Sequence, residues 1–403
     1  MNRKFTFLFF SILLASKCIA HPPSKPEPPL AMLQHYLAPH ASEVEEPQTP
    51  IVPPTATSPG PLFSLGTITD SGQNQCWDAA GIPLVCNGTG HDGAFPDTPS
   101  ARSFTGPTQH SQYLTDYTSL DNVKGLTWKS CAEGQSGPTC AIGAGAATNT
   151  DWNTATLGGP GTCSGLNAQN GGNGYAGRTD WRIPEVKELL SLFHSSNVPH
   201  LENVQFPNTD PANAYLTSTP PPFDGTSVWV VDFLSTGLPI SSRPKAGGGG
   251  FLRCVSGNPP PAFSFQDNGN GTVTDRNTNL LWSKCALGKS NVNCTAGVLS
   301  FGNQQSAFNG CNGLNSAVPP FPFAGRNDWR LPNVNELLSI VDHSGAGNPA
   351  VPAVFSNFAS GTFWTSTTDE TNLNQGLVIN FNGGSISSIA KTVGANGICV
   401  TNR

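Results

Sequence analysis

The ionisable residues that recur along this chain belong to a thirteen-residue phrase that occurs twice. It reads DWRIPEVKELLSL from Asp180 and DWRLPNVNELLSI from Asp328, 148 residues later. A glutamate held beside an arginine could work as a general acid or base, so the phrase is either a catalytic motif in two copies or the scaffold of a duplicated domain. The residues shared by the two copies include Trp181, Arg182, Pro184 and Glu188, and then Trp329, Arg330, Pro332 and Glu336.

Catalysis by this phrase would require a partner group at the same position in both copies. No constellation of acid, base and nucleophile recurs in register. His194 and His343 follow the two phrases one position out of register, which a catalytic base would not tolerate. The pattern therefore favours a scaffold in which the arginine and the glutamate form an ion pair or a helix cap, and we predict no catalytic residues.

The phrase has the spacing of an extended segment that leads into a short amphipathic helix. Apolar residues recur at helical spacing over 183–193 and over 331–341. Pro184 and Pro332 stand where the first turn of a helix tolerates proline. We therefore expect a helix that packs inward in each copy, with Leu337 in the core.

The cysteines repeat the same duplication. Ten follow the first twenty residues, and eight of these form two sets of four in which the first two lie nine residues apart. An even number in an exported protein predicts a disulfide framework. Metal binding is the rival use, but the C-x2-C spacing is missing, so we predict no metal and no cofactor. The ten are Cys76, Cys86, Cys131, Cys140, Cys163, Cys254, Cys285, Cys294, Cys311 and Cys399.

Four cysteines permit three pairings, and the sequence alone does not choose among them. Physical preference favours a bond between the two close neighbours, which staples a loop, and a second bond across most of the domain. In the chain-entropy model the long link stabilises by about 4–5 kcal/mol and the short one by about 2.7 kcal/mol. The expected bonds are Cys76–Cys86, Cys131–Cys140, Cys163–Cys254, Cys285–Cys294 and Cys311–Cys399.

The second copy begins with the pattern of a β-hairpin. The run AFSFQDNGNGTVTDRNTNLLWSKC alternates strand-like residues with Asn-Gly turns and predicts a hairpin followed by a strand that ends at Trp282. A calcium loop from Asp267 is disfavoured, because its third position is Gly269, which has no side-chain oxygen. We expect a helix over 301–315. The expected later strands are 363–367, 377–381 and 398–401 in the second copy, and 215–219, 228–234 and 251–256 in the first.

The start of the chain predicts export. Arg3 and Lys4 precede an apolar stretch that ends in small residues, so residues 1–20 are typical of a secretory signal peptide. Residues 21–62 contain twelve prolines and predict a disordered tether. No later segment approaches eighteen consecutive apolar residues, so we expect no transmembrane span and a periplasmic, cell-surface or secreted location.

The charge composition argues against a nucleic-acid partner. Removing residues 1–20 removes three basic residues and no acidic one, which leaves 17 basic and 26 acidic residues and a net charge of −9. The basic residues are scattered and form no run that could follow a phosphate backbone.

Each copy resembles the bacterial Lcl C-terminal domain family, named after the C-terminal domain of a collagen-like adhesin. The resemblance rests on DNGNGTVTDRNTNLLW, GCNGLN, DWRLPNVNELLSIVD, FWTSTT and the closing ICV. It covers about 98–257 and 262–403, and residues 63–97 are similar to a small cysteine-paired lead segment. The first copy departs from the pattern in its opening hairpin and has Leu216 where Trp364 stands.

The resemblance implies a fold as well as a class of function. The fold is α+β, with two tandem, disulfide-stapled, C-type-lectin-like domains of short strands and two helices each, and with a helix cysteine paired to the last strand. The function implied is attachment, by binding an extracellular polysaccharide or a host or surface glycan. Sulfated polymers are disfavoured, because residues 262–403 hold seven basic and seven acidic residues.

Two classes of function therefore remain. We expect a non-enzymatic recognition or adhesion protein whose tandem domains gain avidity, with solvent-facing aromatic rings among Trp152, Trp229 and Trp364 as the binding platform. The alternative is an exported enzyme on a lectin-like fold, or a structural envelope protein. The oligomeric state does not follow from the sequence.

Overall fold

The chain is described by a computed structural model that covers residues 67–143, 147–210, 213–222, 224–233, 240–316, 323–345 and 349–403. These residues belong to one compact unit, which spans 59–403. The expected signal peptide and tether lie outside the described residues.

The first copy is built from two antiparallel sheets and short helices. One sheet has the order β11-β5-β4-β3 and the other the order β10-β9-β8. A two-stranded lead sheet precedes them, with β1 (Cys76–Trp77) and β2 (Pro83–Leu84). The elements of the copy are β3 (Phe104–Gln109), β4 (Tyr117–Asp121), β5 (Leu126–Lys129), β6 (Gln135–Ser136), β7 (Ile142–Gly143), α1 (Trp152–Leu157), α2 (Gln169–Gly172), α3 (Val186–Leu190), β8 (Tyr215–Leu216), β9 (Ser227–Val231), β10 (Ile240–Pro244) and β11 (Val255–Ser256).

The second copy repeats this plan. Its sheets have the orders β12-β13-β14-β20 and β17-β18-β19. The elements are β12 (Phe265–Asp267), β13 (Thr272–Asp275), β14 (Leu280–Ser283), β15 (Lys289–Ser290), β16 (Ala296–Gly297), α4 (Gln304–Gly313), α5 (Val334–Ser339), β17 (Thr362–Thr368), β18 (Gln375–Asn380), β19 (Ser385–Ala390) and β20 (Val400–Asn402). The chain is thus a strand-rich mixed fold with few helices. Of the described residues, none lies in a helix that is long and apolar enough to span a membrane.

The predicted hairpin, both phrase helices and the expected helix of the second copy form, whereas the expected helix at Cys163 does not. α4 begins three residues later than expected, because Asn303 caps it by accepting a hydrogen bond from Ser306 N at 2.9 Å. The first copy has no such helix at its third cysteine. There, Cys163 precedes a 3-10 turn over 164–168, because the glycine-rich run that follows adopts positive φ at Asn170 and Gly171. Strands β10 and β19 were not predicted.

The placement of the two phrase prolines in the first helical turn was wrong. Helix α3 is capped by Glu185 and α5 by Asn333, so Pro184 and Pro332 each lie one residue before the cap. The reason is tertiary. Each proline carbonyl oxygen accepts a hydrogen bond at 2.8 Å from a backbone N–H of the facing sheet segment, namely Ser218 and Ser366. The prolines therefore join the extended Trp-Arg segment to the sheet.

All five expected disulfide bonds are present. The short bonds span 9 or 10 residues, and the long ones, Cys163–Cys254 and Cys311–Cys399, span 91 and 88. Each long bond lies in a small apolar cluster of its own copy, beside the phrase tryptophan. It ties the middle of each copy to the residue that precedes the last strand.

The two copies share one hydrophobic core. A single cluster of buried side chains includes Leu189 and Trp128 from the first copy and Leu337 and Trp282 from the second. Helices α3 and α5 contact each other across the junction. The Trp229 indole N–H also donates to the His343 carbonyl oxygen at 3.1 Å. The copies therefore form one packed body.

The lead segment, defined here as residues 67–100, lies between the copies. Gln73 makes two hydrogen bonds with the backbone of Thr368, at 2.8 and 2.9 Å. Asn335 donates to the Asp70 carbonyl oxygen at 3.0 Å. On the other side, Ser195 N donates to the Ser71 carbonyl oxygen at 2.9 Å. The lead segment is thus hydrogen-bonded to both copies and connects them.

Candidate functional site

The phrase glutamates are fully engaged in structural hydrogen bonds. Arg182 donates to both carboxylate oxygens of Glu188 at 2.6 and 2.7 Å, and Arg330 does the same to Glu336 at 2.5 and 2.6 Å. One oxygen of each glutamate also accepts the backbone N–H of the helix cap residue, which is a capping-box contact. Both glutamates are buried, so the phrase positions the helix and offers no free carboxylate to a substrate.

An arginine and an aspartate also recur just before the phrase tryptophan, and the sequence analysis did not single out this pair. The words AGRTDWR and AGRNDWR carry an arginine and an aspartate before the phrase tryptophan. Asp180 accepts hydrogen bonds from Ser256 Oγ and Gly257 N, while Arg326 binds Asp328 and the Asn402 carbonyl oxygen. These contacts clamp the loop to the end of the last strand. The repeated Ala-Gly-Arg word was the signal that could have revealed the clamp.

The two histidines occupy unrelated environments, in agreement with their different register. His343 is buried at the copy junction, where burial and the nearby Lys187 lower its pKa to about 3. His194 packs against Gly72 of the lead segment. Burial, with the Arg102 charge, lowers the pKa of His194 to about 4. Both rings are therefore neutral at pH 7.

Of the three tryptophans considered for a binding platform, two are buried and the third is half-buried. Seven of the eight tryptophans are buried, including Trp229 and Trp364. Trp152 is half-buried, donates its indole N–H to the Thr217 carbonyl oxygen at 3.0 Å and lies under the Lys245 amine at 4.6 Å. The tryptophans are buried because the strands and the long disulfide bonds pack against them. Neither Trp229 nor Trp364 therefore offers an exposed ring to a ligand.

A polar cleft with a volume of about 620 Å³ lies between the lead segment and the first copy. We call it the polar cleft. One wall is the lead segment and the other is formed by the start of β3 and the loop after α3. The residues that line it are Asp70, Gly72, Gln73, Asn74, Pro96, Asp97, Arg102, Ser103, Phe104, His194, Glu202 and Gln205.

Arg102 holds the walls of the polar cleft in place. Its guanidinium forms an ion pair with Glu202 at 2.5 Å and donates to the carbonyl oxygens of Asp70 and Phe193 at 2.9 and 3.0 Å. The Phe193 carbonyl follows helix α3, so the arginine also stabilises the negative end of that helix. A charged group with three such partners is held in place and is not free to bind a ligand on its own.

Other groups in the polar cleft are available. Among the described residues, the side chains of Asn74, Asp97 and Gln205 have no hydrogen-bonding partner. Asp70 has one carboxylate oxygen without a partner. Burial raises the pKa of Asp70 to about 6, against the backbone N–H of Gly72, which lowers it. The cleft therefore presents amides and carboxyl groups that can bind hydroxyl groups.

The described part of the chain offers no metal centre. No three histidine, cysteine, aspartate or glutamate side chains there are grouped to hold an ion. In the hairpin once considered as a calcium loop, the Lys284 amine binds Asp267 at 2.6 Å. The carboxylate of Asp267 is thus paired with a lysine amine.

The comparison with known families decides the identity of both copies. The profile of the Lcl C-terminal domain matches residues 117–256 and 271–401, together more than half of the chain. This chain belongs to the Lcl C-terminal domain family. No curated protein and no solved structure matches it. The two Lcl C-terminal domains contribute the phrase helices and the long disulfide bonds, whereas half of the polar cleft comes from the lead segment outside the first matched range.

Proposed function

We propose that this protein is an exported, non-enzymatic recognition or adhesion protein that binds a polysaccharide in the polar cleft. The observation that carries the proposal is the set of uncommitted side chains of Asn74, Asp97 and Gln205 on walls held by Arg102. Preformed clefts with a few convergent polar groups are the usual form of ligand sites. Amide and carboxyl groups match the hydroxyl groups of sugars.

Export is part of this proposal. The first twenty residues have the pattern of a signal peptide, and the described chain contains five disulfide bonds. Disulfide bonds persist in oxidising compartments such as the periplasm and the extracellular space. Similarity to C-type-lectin-like folds also belongs to the proposal, supported by the bonds that tie the middle of each copy to its last strand.

The charges of the polar cleft favour an uncharged polymer. Asp70, Asp97 and Glu202 face only one positive side chain, Arg102, because His194 is neutral at pH 7. A sulfated chain would meet repulsion there. We therefore propose a neutral polysaccharide, bound through hydrogen bonds and the face of Phe104.

The packing of the two copies determines whether the tandem domains can increase the avidity for a polysaccharide. The polar cleft uses the lead segment once, so the proposal depends on one cleft and not on two equal sites. Because the copies share a core, avidity would have to come from several chains on one surface and not from a flexible pair within one chain.

Binding of the mature chain to an array of neutral and sulfated polysaccharides, at low and physiological salt, tests the proposal. We expect binding to a neutral polymer that changes little with salt, and a loss of at least about tenfold in the double variant Asn74→Ala/Gln205→Ala. Gln112→Ala, at an exposed glutamine outside the cleft, is the matched control. Unchanged binding by the double variant, or no binding to any polymer, would overturn the proposal.

One observation favours a second function, hydrolysis of the bound polymer. Asp70 combines a pKa raised to about 6 with a carboxylate oxygen that has no partner, and Asp97 lies in the same cleft. Two carboxyl groups in one cleft, one of them with a raised pKa, are the pattern of glycoside hydrolysis. Release of soluble sugars that stops in Asp70→Asn would place the protein in this class, whereas stable binding without products supports recognition.

A further inference from the structure

A second, smaller cavity lies at the junction of the two copies, away from the polar cleft. Its volume is about 110 Å³, and it is partly open to solvent. We call it the junction cavity. Its walls are mainly apolar and come from α3, α5, the linker between the copies and the start of the lead segment. Among the lining residues are Leu126, Leu190, Pro260, Phe263, Leu338 and Lys187.

The Lys187 amine is part of the wall of this cavity. Its Nζ donates to the Ser339 carbonyl oxygen at 3.0 Å and lies 4.0 Å from the centre of the Phe263 ring. Both partners line the junction cavity. Within the described part of the chain, no carboxylate lies within ion-pair distance of this amine. An amine with these neighbours loses its hydration without gaining a counter-ion.

The charged groups around Lys187 only partly compensate for the loss of hydration of its amine. Burial lowers the pKa of the amine to about 7, while the more distant Asp342, Asp275 and Glu185 raise it. Lys124 is a second amine at the wall, and it donates to the Thr67 carbonyl oxygen at 2.9 Å. A lysine desolvated in an apolar pocket is the environment that makes an amine nucleophilic.

The duplication shows that the lysine is not a requirement of the fold. The position that matches Lys187 in the second phrase is Asn335, and this asparagine binds the Thr69 and Asp70 carbonyl oxygens of the lead segment. Both residues line the junction cavity, one from each copy. The fold thus accepts a short amide at this place, and the first copy has an amine instead.

We propose that Lys187 is a carbonyl-binding residue that forms an imine with a small apolar aldehyde held in the junction cavity. The apolar walls would contact the alkyl chain of the aldehyde. An apolar cavity of about 150 Å³ binds benzene, so this smaller cavity takes about four or five non-hydrogen atoms. This inference is independent of the polysaccharide proposal.

The reaction is balanced without an oxidant or a cofactor. The neutral amine adds to the aldehyde carbon, and the carbonyl π bond becomes a C–O single bond. The nitrogen then forms a C=N bond as the oxygen leaves as water, with both hydrogens of that water supplied by the amine. Asp275 lines the same cavity, so its carboxylate can accept a proton from the attacking nitrogen and pass it to the departing oxygen. Uptake of one proton from solvent by the imine nitrogen then supplies an N–H that can donate to the Ser339 carbonyl oxygen.

Reductive trapping with butanal and cyanoborohydride at pH 7, followed by peptide mapping of the full chain, tests this inference. About half of an amine with a pKa near 7 is neutral at that pH, roughly 10³ times the fraction of an ordinary lysine. We expect a single butyl group on Lys187 at least about tenfold faster than on Lys245 and Lys289. Brief labelling in urea should abolish the preference, because it depends on the folded cavity.

Variants and a bulky aldehyde complete the test. Lys187→Met should remove the fast label, and Lys187→Asn, which copies the second domain, should do so while the thermal unfolding curve stays intact. A naphthaldehyde, too large for the cavity, should not label Lys187 quickly. Equal labelling of the three lysines in the folded chain, or equal labelling of Lys187 by both aldehydes, would overturn the proposal.

Discussion

The two Arg–Glu pairs make the same hydrogen bonds but differ in exposure. The Arg182 side chain retains 26% of its exposure, whereas Arg330 retains 7%. Removing one partner of a buried pair leaves the other charge without compensation, and water can compensate only the more exposed arginine. The same chemical change should therefore have different effects in the two copies.

We predict that Glu336→Gln lowers the free energy of unfolding by about 3–5 kcal/mol, the range for breaking a buried pair. Glu188→Gln serves as the matched variant and should lower it by only about 1–2 kcal/mol, since Arg182 can be hydrated. Urea unfolding of both variants measures the difference. Equal losses would mean that burial of the arginine does not control the effect.

Leu337 is a residue on which the helical interpretation of the phrase depends. It is fully buried on α5 and belongs to the core that both copies share. We predict that Leu337→Ala lowers the free energy of unfolding by about 2–5 kcal/mol, because it leaves a cavity. The exposed Leu157, changed to Ala, is the control. If the melting temperature of Leu337→Ala equals that of the unchanged chain, the helix does not pack as described.

At the scale of elements, the lead segment is held by a buried carboxyl group. Asp92 accepts hydrogen bonds from Ser71 Oγ and from Thr367 Oγ of β17. Burial, followed by the nearby Asp70, raises the pKa of Asp92 to about 7 against these hydrogen bonds. The contact between the lead segment and the second copy is therefore most favourable when this carboxyl group is protonated.

The sign of the pH effect follows from that pKa. An unfolded aspartate has a pKa of about 3.9, so the folded chain binds more protons between about pH 4 and pH 7. The stability contributed by Asp92 is complete below pH 4 and is lost as the pH rises to 7. His91, His194 and His343 have lowered pKa values and act in the opposite direction over part of this range, so the comparison must be made with a variant.

We predict that the stability of the unchanged chain relative to Asp92→Asn rises by about 2–3 kcal/mol when the pH falls from 7.5 to 5. The variant lacks the titrating group, and the groups that do not interact with Asp92 cancel in the difference. A difference between Asp92→Asn and the unchanged chain that stays constant with pH would show that Asp92 is ionised in the folded chain.

At the scale of the whole molecule, the shared core makes the two domains one cooperative unit. The core cluster crosses the junction, Trp229 bonds to the second copy, and the lead segment bonds to both. Unfolding one domain would expose the apolar surface of the other. We therefore do not expect the two domains to unfold independently.

We predict a single calorimetric transition for the oxidised chain, with a calorimetric enthalpy close to the van't Hoff enthalpy. Trp229→Ala, which removes a hydrogen bond and apolar contacts at the junction, should lower the melting temperature of the whole transition. Trp152→Ala, which lies outside the shared core, should leave the transition closer to that of the unchanged chain. Two resolved transitions in the unchanged chain would contradict the shared core.

Much of the scaffold followed from the sequence, because its determinants are local or repeated. The Asn-Gly turn, the helical spacing around Leu337 and the two cysteine sets act over short distances or appear twice. They predicted the hairpin, the phrase helix and the five disulfide bonds. The Arg–Glu ion pair could be predicted because both residues lie within one phrase.

The candidate sites were decided by the tertiary structure. Whether Trp229 and Trp364 face solvent depends on which sheet covers them, and alternation along a short strand does not reveal that. The polar cleft and the junction cavity join residues that lie about 100 positions or more apart, such as Arg102 with Glu202 and Lys187 with Ser339. Such contacts arise only when the copies and the lead segment bury their apolar surfaces together, since that burial fixes which polar groups meet.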